Sequence, residues 1–251
     1  MGNGDSTLLL ALIARMGGFF LLSPFFSQKG ISIPIRIGLS IVISLLLFPT
    51  TLHQIQLPAL SWSAVPTLLS EVAIGYFMGL MMALVIESGM LAGQVIGALF
   101  GFSATEFFDP IASSPQPLMG RLFALLFFSL FLTLDLHHLL LGMLYTSFVN
   151  APPFNPVSSE TMRALTAGVD LFFSTALNYI FIPFIFFLPL VLIFAVAVRL
   201  FPQGGLMWLL FPLQALLGLS VVLSLIPIFA PLLQQACYKI FSLISPLLFP
   251  L

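Results

Sequence analysis

Six ionisable side chains stand within or beside apolar stretches of this chain: Arg15, Glu71, Glu87, Asp135, Asp170 and Arg199. A charge at the centre of a membrane helix costs roughly 2.5–3.5 kcal/mol on insertion scales, so each of these intramembrane charges needs a reason. One reason is a proton or ion path. The other is that the charges pair with one another, pair with a partner subunit, or reach to an interface. No two of the six share a helix face four residues apart, and a proton-coupled path would show more such groups. The spacing therefore favours pairing over transport.

Asp135-Leu136-His137-His138 is a second cluster with metal-ligating side chains. Adjacent residues on a helix point ~100° apart, which places the two histidines poorly for one ion. Asp135 and His138 share a face, but two ligands make a weak site. The expectation is a polar cluster at a helix end with no metal. Gly101-Phe102-Ser103 has a faint likeness to an intramembrane serine protease that would take its base from His138. The second glycine is missing, Ser103 closes an apolar run rather than opening one, and no oxyanion donors can be named. There is no P-loop and no HExxH. No catalytic, cofactor-binding or metal residue is expected, and the chain is read as no enzyme.

The elements that would position these groups are apolar helices. The hydrophobic fraction is 60%, the charged fraction 6% and the mean hydropathy +1.19, against about 25% charge in a soluble domain, so the chain belongs in or against a membrane. A formal net charge of −1 offers no basic footprint for nucleic acid, and the single Cys237 excludes an intrachain disulfide. The apolar runs are 8–26, 31–48, 72–101, 122–149, 167–198 and 206–251. The first lacks a basic leader and a cleavage signal, and is expected to stay as a membrane helix. The run 72–101 is long for one span and short for two, and the last two runs are interrupted by Pro183, Pro189, Pro212, Pro227, Pro231 and Pro246. The fold class expected is all-α membrane protein, with long kinked helices and helical hairpins. Ala151-Pro152-Pro153-Phe154-Asn155-Pro156 divides an N-terminal part, 1–155, from a C-terminal part, 156–251. Seven Lys and Arg are too few and too scattered to set an orientation.

Within the third run Gly89, Gly93, Gly97 and Gly101 recur every fourth residue, preceded by Gly75 and Gly79. Four glycines in a helix cost ~4 kcal/mol relative to alanine, which close helix approach along a small-residue face can offset. These six glycines are expected to pack helices. The ladder runs into 102–117, which carries Phe102, Glu106, Phe107, Phe108, Asp109 and Pro110. Irregular backbone at membrane depth survives only when buried in protein or lining a cavity, so this segment is the candidate plug or gate loop.

These features together resemble the FliR/SctT family, the export-gate membrane subunits of flagellar and virulence type III secretion systems. The resemblance rests on Ala14-Arg15 with Pro24-Phe25-Phe26, on Pro34-Ile35-Arg36-Ile37-Gly38-Leu39, and on Glu71 with Ile74-Gly75 and Gly79. It continues through the glycine ladder, Asp109-Pro110 and Leu118-Met119-Gly120-Arg121, then Asp135 to His138, Ser147-Phe148 and Pro152. It ends with Arg199, Pro202-Gln203, Phe211-Pro212-Leu213 and Gly218-Leu219, and departs where Leu136 stands in place of a glycine that many relatives have. It implies an N-terminal part like the P-type gate subunit and a C-terminal hairpin like the Q-type. It implies a structural subunit of a gated conduit for unfolded proteins across the bacterial inner membrane, at the base of a flagellum or injectisome. The implied partners are the P-type and Q-type subunits, the B-type/U-type switch protein, the A-type/V-type export protein and the exported chains; no cofactor is implied. The competing reading is a polytopic membrane enzyme, serine protease-like, or a small-solute transporter.

Overall fold

The computed structural model describes residues 3–22, 32–51, 64–102, 118–150, 159–200 and 205–248. Among them every regular element is a helix: α1 (Asn3–Leu22), α2 (Ile33–Thr51), α3 (Ala64–Leu99), α4 (Leu118–Thr133), α5 (Leu136–Asn150), α6 (Ser159–Leu200) and α7 (Gly205–Leu248). The protein is an all-α membrane protein. Three stretches are long and apolar enough to cross a membrane, namely Val65–Leu99, Thr161–Leu200 and Pro212–Pro246, and α4 with α5 supplies a fourth if that broken pair counts as one. At 36, 42 and 44 residues, α3, α6 and α7 run for ~54, ~63 and ~66 Å, well beyond the ~30 Å hydrocarbon core of a bilayer.

The run 72–101, long for one span and short for two, falls largely in one unbroken helix, since α3 continues through Glu87, which is exposed on its surface, to Leu99. One expectation is corrected here. The prolines do not break the last two runs. Helix continues through Pro183 and Pro189 in α6 and through Pro212, Pro227, Pro231 and Pro246 in α7. Each proline removes one donor from the ladder of hydrogen bonds, and leucine-, alanine- and phenylalanine-rich neighbours keep the rest. Hydroxyls on the helices are satisfied locally: Ser40, Ser44, Ser129, Thr133, Ser174, Ser220 and Ser224 each donate to a carbonyl three or four residues back.

The chain divides into two compact units that interleave along the sequence. Unit 1 comprises 1–85, 135–170 and 237–251, and unit 2 comprises 86–134 and 171–236. Each long helix therefore contributes to both. In unit 1, Leu8, Ala11 and Leu12 of α1 form a core with Phe48 of α2 and Phe148 of α5. Unit 2 is built around rings: Phe127 lies 4.5 Å from Tyr179 and 6.0 Å from Phe229, and Phe123 lies 6.1 Å from Phe229, centroid to centroid. A buried ring removes 150–250 Å² from solvent, so a few phenylalanines supply a core where the helices themselves are uniformly apolar.

Candidate functional site

Gly89, Gly93 and Gly97 of α3 lie in unit 2 against Phe127, Phe123 and Met119 of α4. Both series step by four, in opposite directions, so the two helices form an antiparallel hairpin with glycine facing bulk at every turn. A Cβ at Gly93 would stand 2.5 Å from the Cβ of Phe123 and 2.8 Å from the carbonyl oxygen of Met119. At Gly97 it would stand 2.6 Å from the Cβ of Met119, and at Gly89 2.5 Å from the Phe127 ring. Real Cβ atoms do not approach other atoms so closely, so alanine at Gly93 or Gly97 would force the hairpin apart, while at Gly89 the Phe127 ring would have to move.

The packed ladder ends at Gly97. Gly101 is not a fourth packing rung, because α3 stops at Leu99 and Gly101 adopts φ 82°, in the left-handed region. The amide of Phe102 donates to the carbonyl of Gly97 (3.0 Å) and the amide of Gly101 to that of Ala98 (3.2 Å). This is a Schellman cap, in which a residue without Cβ turns the chain out of the helix and satisfies its last carbonyls. A third free carbonyl, that of Leu99, accepts from Nε2 of Gln214 on α7 at 2.9 Å. The ring of Phe100 lies against Gly218 of α7, where a Cβ would collide with it, and 4.2 Å from the ring of Phe187 on α6. The helix end is thus clasped by α6 and α7 at the point where the candidate loop leaves. Phe102 is half-buried in the cap. Glu106, Phe107, Phe108, Asp109 and Pro110 lie outside the described residues.

Unit 1 holds a buried charge. Arg15 of α1 is 1% exposed; its Nε donates to Oε2 of Glu71 on α3, and its Nη1 donates to Oγ of Ser147 on α5 at 3.1 Å. The guanidinium also lies 4.9 Å from the centroid of the Phe148 ring. One arginine therefore ties three helices through an ion pair, a hydrogen bond and a cation–π contact. Its backbone is part of the same arrangement: a Cβ at Gly75, one turn after Glu71, would run into the carbonyl oxygen of Arg15, and a Cβ at Gly18 into that of Val72. Glycine on each helix lets α1 and α3 cross backbone to backbone. Gly79 is buried on α3.

Of the six charges named from sequence, only Arg15 and Glu71 meet. Glu87, Asp170 and Arg199 are exposed on α3, α6 and α6. Asp135 sits at the break between α4 and α5 with φ 54° and lies 3.5 Å from His138 Nδ1. Nothing in the sequence marks Gly18, Phe187 or Gln214 as partners of these features. The available signal was a lone amide and single small residues inside apolar helices.

The model for bacterial export proteins, family 1, matches residues 6–240 of this chain. The chain belongs to this family. It is 27% identical over 227 residues to the flagellar biosynthetic protein FliR of Escherichia coli (strain K12), covering 90% of this chain and 87% of that one. It is 28% identical over 241 residues to FliR of Pectobacterium carotovorum subsp. carotovorum, covering 96% and 89%. A match to FliR of Bacillus subtilis (strain 168) is shorter, 28% over 141 residues and 55% of this chain. The glycine hairpin, the helix clasp and the Arg15 cluster all fall inside the stretch that the family covers.

Proposed function

We propose that this protein is a structural subunit of the flagellar type III export gate in the bacterial inner membrane. The observation that carries the reading is family membership across residues 6–240, with relatives named as flagellar biosynthetic proteins. Those names favour the flagellum over an injectisome. In this reading the stretch 1–155 resembles the P-type subunit and 156–251 the Q-type, and the chain joins several copies of each in a conduit for unfolded proteins. The switch protein and the large export protein dock on the same assembly, at the base of the flagellum.

The geometry supports a passive, gated role. The glycine-lined hairpin makes a rigid wall, the Schellman cap turns the chain out at Gly101, and Gln214, Gly218 and Phe187 hold that corner. The segment that leaves from it, 102–117, is the plug. The exposed apolar side chains of α6, including Phe173, Phe181, Ile185, Phe186, Leu192 and Ile193, provide surface for neighbouring subunits or lipid. Ser103, the serine on which the enzyme reading rests, lies outside the described residues, and relatives named as flagellar biosynthetic proteins support the structural reading instead. Co-expression with the P-type and Q-type subunits, followed by purification through a tag on one partner, tests the assignment. A stable complex containing all three chains is expected, and recovery of the partners without this chain would overturn it.

A further inference from the structure

The geometry points to a divalent-cation site formed by Asp135, His137 and His138 at the break between α4 and α5, taking a zinc-like borderline ion through two imidazole nitrogens and one carboxylate oxygen. Helical spacing alone argues against this trio, since neighbouring helical residues diverge. The structure alters that premise. Asp135 is not helical: its φ of 54° is an unusual conformation for a residue with a Cβ, and asparagine and aspartate are among the few that adopt it. That turn folds the carboxylate back over the first turn of α5, where the amide of His138 bonds to the carbonyl of Asp135 at 3.0 Å. The His137 and His138 rings rotate toward each other until their centroids are 4.1 Å apart. One ligand atom from each of the three residues lies within 4.8 Å of the other two.

Two details match a metal better than a surface ion pair. The 3.5 Å separation of His138 Nδ1 from Asp135 Oδ1 is long for a hydrogen bond, but close to the ~3.3 Å edge set by two ligands about 2.05 Å from one tetrahedral ion. Nδ1 of His137 is buried and has no hydrogen-bond partner among the described residues, although a buried imidazole nitrogen ordinarily has one. Two adjoining imidazoles that are both protonated repel each other, whereas two neutral ones can share a cation. Leu136, between Asp135 and His137, is 2% exposed and anchors the turn, while Asp135 and His138 are 74% and 70% exposed, leaving room for water to complete the coordination. The positive end of α5 disfavours a cation there, and the Asp135 carboxylate counters it. Two nitrogens and one oxygen suit Zn²⁺, Co²⁺, Ni²⁺ or Cu²⁺ rather than Mg²⁺ or Ca²⁺.

Cobalt titration of the tag-free full chain, purified with whatever subunits accompany it, reads the site through visible d–d absorption, with Zn²⁺ as competitor. A saturable band that Zn²⁺ removes is expected. His137→Ala, His138→Ala and Asp135→Asn should each weaken Co²⁺ binding by at least about tenfold, the scale at which even supporting ligand contacts act. His53→Ala, which removes the one other histidine in the sequence, should leave the titration unchanged. Far-UV circular dichroism checks that the variants fold; if His137→Ala loses helicity, the exposed His138→Gln decides alone. Absence of a saturable band in the parent, or equal affinity in the parent and in folded His138 and Asp135 variants, overturns the site.

Discussion

Arg15 and Glu71 share an ion pair but not an environment: Arg15 is 1% exposed and Glu71 20%. Removing the carboxylate strands a guanidinium inside the protein, with only Ser147 and Phe148 to face. Removing the guanidinium strands a carboxylate that still has water beside it. Glu71→Ala is therefore expected to destabilise the protein by about 3–5 kcal/mol, the range for breaking a buried pair from one side. Arg15→Met keeps much of the side-chain volume and should cost clearly less. Arg15→Met combined with Glu71→Leu should recover most of the loss, because apolar replacement removes both desolvation penalties together. Thermal or detergent unfolding of the four proteins checks this. Arg15→Met as damaging as Glu71→Ala would show that the pair acts through packing or Ser147 rather than through charge.

At the scale of the element, the α3–α4 hairpin depends on glycine opposite phenylalanine and methionine. Gly93→Leu and Gly97→Leu should abolish assembly and motility, since neither the Met119 backbone nor the Phe123 Cβ can retreat without separating the helices. Gly89 differs, because only the Phe127 ring fills the space there. Gly89→Ala should impair assembly, and Phe127→Leu should restore part of it by withdrawing ring atoms, so the double variant should be less defective than the sum of the two singles. Additive defects would show that the ring is not what Gly89 accommodates. The ladder's four-residue spacing was legible in the sequence, but the point where the helix ends was not. Gly101 continues the spacing and leaves the helix, because the cap is decided by where the carbonyls of Gly97 and Ala98 find donors. Spacing alone does not record that.

For the whole molecule, a wall that ends in a clasped corner matters only if the next segment closes something. Shortening Glu106–Ser114 in the assembled gate is expected to let ions or small molecules pass the membrane, measured as conductance or dye leakage in cells that express all subunits. Unchanged permeability would remove the plug assignment while leaving the subunit assignment intact. Composition and the long apolar runs were enough to point to an all-helical membrane protein, because a chain with 6% charged residues cannot cover a water-facing surface. The order of the short motifs was enough to point to the export family. The tertiary structure decided which side chains meet. Gly17 and Gly18 are neighbours of one type in one apolar run, yet a Cβ at Gly17 would touch nothing within 4 Å while one at Gly18 would strike the backbone of α3. Likewise Arg15 finds its carboxylate 56 residues away and its hydroxyl 132 residues away. The physical reason is that nearly every face of these helices is apolar, so periodicity does not say which face is inside. That choice is made by backbone clearance and by the few polar groups that must find one another.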